Sequence, residues 1–279
     1  MPRLRLLLLV LASSVLASAA APTRAAGALR ICDTKRALND SLVPAAAVPA
    51  ALGALAAAMH CDALRVPIMP AFRAPADYPA AFNATLAFAA ARALPLYASP
   101  MEGAWRAAPG EAAYAAWVAG FAAAFKPRFL SVFNEVGAAN CDAACMERVV
   151  VAVRRALPPP LPLFVGPDAE HVSASIADVK SRVKHLGVFD IISSHNAGAD
   201  ASNTPAAWAQ LAALAGARPM WASENPACFT LAACTAYGTM RVALDANASG
   251  VVSWNTLGDD VDVSTGAVTA KGSDIAAGW

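Results

Sequence analysis

The sequence predicts a single-domain α/β fold, a (β/α)8 TIM barrel with a short or missing eighth helix. Three observations carry that prediction. Eight short apolar runs punctuate the chain, at residues 29–33, 63–69, 95–99, 129–134, 161–166, 189–195, 219–224 and 250–255. Subtracting their starting positions gives spacings of 28 to 34 residues. Alanine-rich helical patterns fill the intervals, at 48–59, 78–93, 111–125, 147–157, 173–186, 205–215 and 231–246.

Each element has a physical reason. The short runs are apolar on both faces, as strands of a parallel sheet must be when helices cover one side and side chains fill the other. Strand–helix alternation signals βαβ units. Eight of them at about 30 residues each close on themselves as a barrel. An open doubly wound sheet would place G-x-G-x-x-G after its first strand; here Thr34-Lys35-Arg36-Ala37 follows. The segments are not similar to one another, so the beat is architectural and not a sequence repeat. Some 24 residues follow Asn255, which leaves little for an eighth helix.

Composition narrows the class. Hydrophobic residues make up 58% and charged residues 15%, enough for a large core and against disorder. The formal charge is +1, with no run or stripe of Lys and Arg, so no nucleic-acid partner is expected. Residues 1–20 read as a signal peptide: Arg3 and Arg5, an apolar stretch at 6–16, then Ala17-Ser18-Ala19. That stretch is shorter than the roughly 20 residues of a membrane span. The expectation is therefore a secreted or secretory-lumen domain over 21–279, monomeric, with no membrane span after signal removal. Sequons at Asn39, Asn83 and Asn247 fit the same route. So does an even set of six cysteines, Cys32, Cys61, Cys141, Cys145, Cys228 and Cys234. Six cysteines allow fifteen pairings; local spacing favours Cys141–Cys145 and Cys228–Cys234, leaving Cys32–Cys61. No metal and no cofactor are expected, since a zinc site needs C-x2-C or clustered histidines.

A barrel carries its chemistry at the carboxyl ends of its strands. The fourth run ends in Asn134-Glu135 and the seventh in Glu224. A charge that terminates an apolar strand is costly unless solvated or used. Two glutamates on opposite sides of one mouth can flank a glycosidic bond. One protonates the leaving oxygen, and in retaining enzymes the other attacks the anomeric carbon, with the carboxyls about 5–5.5 Å apart. Mutual repulsion is expected to raise one pKa, so that one carboxyl is an acid while its neighbour stays ionised.

Asn-Glu after strand four and a lone Glu after strand seven resemble clan A, the retaining (β/α)8 glycoside hydrolases. The resemblance implies that Glu135 is the general acid/base and Glu224 the nucleophile. It implies sugar-binding roles for Asn134 at the 2-hydroxyl, for Arg65 beside the nucleophile, for His195 after strand six, and for Trp254 under the reactive sugar. The stretch from Ala98 to Trp105 and the run Trp254-Asn255-Thr256-Leu257 are similar to motifs of family 30, with Trp105 lining a subsite. The proline usual after Asn-Glu is Val136 here, and families 128, 5 and 39 resemble the chain as well. Asp168 and Glu170, after strand five, are expected to border the cleft, and Trp208 to pack on a helix face.

The implied substrate is a β-linked glucan or related β-glycoside, an oligo- or polysaccharide partner. Other barrel chemistries fit poorly. His60, His171, His185 and His195 are far apart, unlike a metal-dependent hydrolase. The turns after strands seven and eight carry acidic residues that repel phosphate. The non-enzyme rival is a glycan-binding pseudoenzyme on the same barrel, against which both glutamates and Asn134 argue.

Overall fold

A computed structural model describes residues 28–39, 43–69, 74–101, 103–136, 140–181, 186–196, 202–225 and 236–253. Residues 1–20, expected to be a signal peptide, lie outside them with His185, Cys228, Cys234, Trp254 and the residues expected to form an eighth helix, as does the side chain of Asn39. Eight strands form a closed parallel barrel in sequence order: β1 Leu29–Asp33, β2 Ala63–Ile68, β3 Leu96–Pro100, β4 Phe129–Ser131, β5 Leu163–Ala169, β6 Ile191–His195, β7 Met220–Asn225 and β8 Gly250–Ser253. β8 pairs back onto β1, so the barrel has no open edge.

Helices lie between the strands: α1 Lys35–Asn39, α2 Val48–Met59, α3 Ala80–Ala91, α4 Ala104–Ala107, α5 Glu111–Phe125, α6 Ala143–Ala156, α7 Val172–Ser181, α8 Pro205–Ala215 and α9 Ala236–Asp245. The starts of α6 and α8 carry side-chain caps. Asp142 accepts from Cys145 N at 2.8 Å to open α6. Thr204 accepts from Ala207 N at 3.2 Å, with Pro205 in the first turn of α8. Trp208 is fully buried on α8, as the sequence reading expects.

Alternation along the strands builds two cores. Cys32, Leu64, Ala98, Leu130, Phe164, Ile192, Ala222 and Val251 face outward into the helix layer. Ile31, Ala63, Tyr97, Val165, Ile191, Trp221 and Val252 fill the barrel interior. One step of two residues along the inner face, the side chains become polar: Asp33, Arg65, Ser99, Ser131 and Ser193, all buried. The interior is thus apolar at its floor and polar at the carboxyl end, where the site lies.

Two strands depart from strict alternation there. The β5–β6 register shifts between Pro167 and Ala169, and the β7 pairings shift between Ala222 and Asn225. Each bulge adds one residue to its strand and re-aims side chains. On β5 it turns Asp168 into the barrel, with Asp168 in the left-handed region at φ 53°. On β7 it lets consecutive Ser223 and Glu224 both face the interior network.

Disulfides Cys141–Cys145, which local spacing favours, and Cys32–Cys61, the pair left over, are formed. Cys32–Cys61 ties β1 to the approach to β2, and Cys141–Cys145 bridges the turn into α6. No helix among the described residues is long and apolar enough to cross a membrane.

Candidate active site

The site is built on the charged ends of β1, β2, β4, β6 and β7. Asp33, last in β1, accepts from Lys35 N at 2.7 Å and so folds the chain tightly into α1. That turn sends the Lys35 side chain over the barrel. Lys35 Nζ donates to Asn134 Oδ1 at 2.8 Å and to Glu224 Oε2 at 3.3 Å. Arg65, fully buried on β2, donates from Nη1 to Glu224 Oε2 at 2.6 Å and to Asp33 Oδ2 at 3.3 Å. Its Nη2 donates to Ser99 Oγ at 3.1 Å and to Asn134 Oδ1 at 3.0 Å. A buried guanidinium must be paired, and Arg65 is paired with two carboxylates. Two cations on Oδ1 fix the Asn134 amide with its oxygen toward them and its NH2 turned away.

Glu135 lies past the end of β4, after Val132, Phe133 and Asn134. Its backbone is left-handed, φ 55°, and its N–H donates to Asp168 O at 3.0 Å. Its Oε1 lies 2.7 Å from His195 Nδ1. His195 is buried, and its Nε2 sits 3.8 Å from Glu224 Oε2. One ligand atom from each of Glu135, His195 and Glu224 lies within 4.8 Å of the others. The imidazole therefore stands between the two carboxyls.

The charges set the protonation. Burial raises the Glu224 pKa, but Lys35, His195 and Arg65 overcome it and hold the carboxyl far below the usual range. Burial and then the Glu135 and Glu224 carboxylates act oppositely on His195, and the net is a raised pKa. Glu135 differs from expectation. Burial and Glu224 do push its pKa up, as mutual repulsion requires, yet the hydrogen bond and charge of His195 outweigh them and the net is lowered. The proton of this group is therefore held on the Glu135–His195 pair, chiefly at the imidazole.

Beneath lies a further carboxylate. Asp168 is fully buried and accepts from Tyr97 Oη at 2.9 Å, from Ser223 Oγ at 2.5 Å, and from Ser193 Oγ. It does not border the cleft as the sequence suggests, because the β5 bulge turns it inward. Glu170, the next polar residue along, is largely exposed and lies beside His171.

Glu135, His195 and Glu224 have the donor types to hold a cation. Arg65 and Lys35 already occupy Glu224 Oε2, so a divalent ion there would face two fixed positive charges. The donor set suits an ion-pair network better than a metal.

Of the residues singled out in sequence, the structure brings Glu135, Glu224, Asn134, Arg65 and His195 together. It does not bring Trp105 to them. That ring packs against Tyr114 and Phe133, and its Nε1 donates to Asn140 O at 3.1 Å. Lys35 and Asp33 escaped sequence reasoning. The signal was present, since Asp33-Thr34-Lys35 ends an apolar strand in charge just as Asn134-Glu135 does.

No protein-family model matches the sequence, and no curated protein matches it significantly. Solved structures do match its fold. The catalytic domain of a mannanase from Streptomyces sp. SirexAA-E superposes with TM-score 0.63 at 15% identity, over 91% of this chain and 85% of that one. A β-mannanase from Streptomyces thermolilacinus, in a structure with mannohexaose, gives TM-score 0.65 at 15% identity, over 90% and 88%. A fungal β-1,4-galactanase gives 0.57 at 15% identity, over 79% and 89%. At these identities the likeness is one of fold.

Proposed function

We propose that the protein is a retaining glycoside hydrolase of the clan A type, cleaving a β-linked polysaccharide with Glu224 as nucleophile and Glu135 as acid/base. The observation that carries this reading is the pair itself, with an oxygen of each carboxyl within 4.8 Å of the other. Inverting enzymes hold their carboxyls about 6.5–9.5 Å apart to admit a water. The spacing here leaves room for a sugar carbon and direct attack.

The surroundings suit the two jobs. A nucleophile must be ionised, and Arg65 and Lys35 keep Glu224 so. Both cations hold Oε2, which leaves Oε1 to attack. In the first step Glu224 Oε1 bonds to the anomeric carbon and the glycosidic C–O bond breaks. The leaving oxygen takes a proton through Glu135, supplied to that carboxyl by His195 Nδ1–H, so Glu135 ends the step as carboxylate and His195 as neutral imidazole. Forming the ester removes the Glu224 charge, the strongest electrostatic support of the His195 cation, so the pair releases its proton as the leaving group needs it. In the second step Glu135 takes a proton from water, the resulting hydroxide attacks the anomeric carbon, and Glu224 departs as carboxylate. The Asn134 NH2, held outward by the two cations, is the donor for a sugar 2-hydroxyl. Trp254 is assigned the floor of the reactive sugar subsite from the resemblance.

The substrate class is a β-linked hexose polymer. A β-glucan follows from the sequence resemblance, and the matched β-mannanases and β-1,4-galactanase add mannan and galactan to the candidates. Signal cleavage after residue 20, secretion and glycosylation complete the proposal. The two disulfides fit an oxidising compartment. The test is hydrolysis of β-glucan, β-mannan, β-galactan and aryl β-glycosides by the wild type and by Glu224→Ala. Product released first as the β-anomer, seen by NMR, and lost in the variant, supports the reading. Absence of turnover across the panel, or an α-anomer first, overturns it.

A further inference from the structure

We propose that Asp168 is a positioning residue of this site, the fixed buried anion that holds the Glu135–His195 pair in place from beneath. The inference rests on the glycosidase reading for its catalytic meaning, but its geometry stands alone. Asp168 bonds to Glu135 directly and reaches the neighbourhood of His195 through Ser193. Its peptide carbonyl accepts from Glu135 N at 3.0 Å, so the left-handed turn that presents Glu135 is hung on β5. Its carboxylate is bound by Ser193 Oγ, two residues before His195 on the same inward face of β6. That places the negative charge about two residue rises, roughly 6–7 Å, under the imidazole.

The carboxylate is anchored on further sides. Tyr97 Oη on β3 donates to Oδ2 and Ser223 Oγ on β7 donates to Oδ1. Hydroxyl donors from three strands, with no cation in direct contact among the described residues, hold the group as an anion inside the barrel. A buried carboxylate with no cation in contact is costly even when hydroxyls bind it. Its return is electrostatic: it attracts positive charge to the layer above, where His195 sits. Burial opposes ionisation of Asp168, and the charges of His195 and Arg65 together with hydroxyl donors outweigh it. His195 is faced by Glu135 from the β4 exit, Asp168 from β5 and Glu224 from β7, with Asp33 of β1, Lys35 after β1 and Arg65 of β2 across the mouth. Glu224 loses its charge in the covalent intermediate and Glu135 exchanges its proton. Of Glu135, Glu224 and Asp168, Asp168 is the carboxylate whose charge stays constant through both steps.

The test is Asp168→Asn, read by NMR titration of the His195 ring nitrogens, assigned against His195→Gln. Asparagine fits the left-handed backbone and keeps the shape while removing the charge. The expected result is a His195 pKa lower by about 1 unit, with the alkaline limb of the kcat profile moving down with it and KM little changed. Asp168→Glu, which keeps the charge, is expected to restore the titration towards wild type. A His195 titration in Asp168→Asn that coincides with wild type overturns the proposal. Asp168→Gly is the second neutral variant if the first does not fold, because glycine accepts φ 53° freely and water can fill the space. Failure of both to fold, with Asp168→Glu folded, also overturns it and assigns Asp168 a purely structural part. The titration needs no turnover, so a wild type inactive on every glycan would sink the glycosidase reading and leave this inference separately decidable.

Discussion

Arg65 and Glu224 meet across the barrel, Nη1 to Oε2 at 2.6 Å, although their strands β2 and β7 are separated by β1 and β8. Arg65 is fully buried and Glu224 partly so, and Arg65 also holds Asp33 through Nη1 and Ser99 and Asn134 through Nη2. Removing the cation strands two carboxylates in the interior. Arg65→Met is expected to lose about 3 kcal/mol or more in chemical unfolding. Arg65→Lys keeps the charge but cannot span these partners, and kcat/KM is expected to fall about 100-fold. Retention of wild-type kcat/KM in the lysine variant would contradict the clamp.

Glu135 is expected to matter according to the leaving group. Glu135→Ala should lose about a hundredfold or more on polysaccharide, where the departing alcohol needs a proton. A dinitrophenyl glycoside needs none, so its first step should survive. Equal losses on both substrates, measured by steady-state and burst kinetics, would remove Glu135 from the acid role.

The pKa directions give a stability profile. Glu224, Glu135 and Asp168 have folded-state values below their unfolded ones, so their contribution is present above the ordinary carboxylate range, about 4–4.5, and is lost as pH falls through the lowered values. His195 is raised, so its contribution is full below its ordinary value of about 6.5 and is lost as pH rises through the raised one. Tm is expected to peak between about pH 4.5 and 6.5. His195→Gln should flatten the alkaline side. An unchanged alkaline slope in that variant would contradict the charged imidazole.

Much of this was legible in sequence, for identifiable reasons. Period and composition report the strands and helices, and the bounds of α2, α5 and α8 coincide with the patterns that announce them. Glu135 and Glu224 are visible because a charge ends an apolar strand. Their protonation was not visible, because Lys35, Arg65 and His195 reach them across 189, 159 and 60 residues of chain. The fourth strand leaves the ladder at Ser131, short of the expected Asn134, as the chain moves toward the left-handed turn at Glu135. Asp168 was misplaced for a similar reason. A bulge adds one residue and reverses which face it sees, and nothing in the pattern around Gly166-Pro167-Asp168 marks that insertion.

The disulfides should differ in worth. Cys32–Cys61 closes 29 residues and Cys141–Cys145 closes 4. Loop-closure entropy gives about 3.5 kcal/mol for the first and about 2 kcal/mol for the second. Thermal unfolding of the two double-serine variants is expected to show that order; the reverse order would place the second bridge's value in holding the turn into α6.

Gly250 carries a packing constraint. A Cβ there would lie 2.6 Å from Trp221 Nε1 in the barrel floor. Gly250→Ala is expected to cost about 1–3 kcal/mol by overpacking, read from urea unfolding.

The assignment of Glu224 as nucleophile is tested most directly by trapping. A fluoro-sugar bearing a good leaving group, in the configuration of whichever polymer is cleaved, should accumulate the glycosyl-enzyme. Peptide mass spectrometry is expected to find the sugar on Glu224, as an ester that slowly hydrolyses and restores activity. A sugar on Glu135, or full turnover with no adduct on either glutamate, would contradict the double displacement.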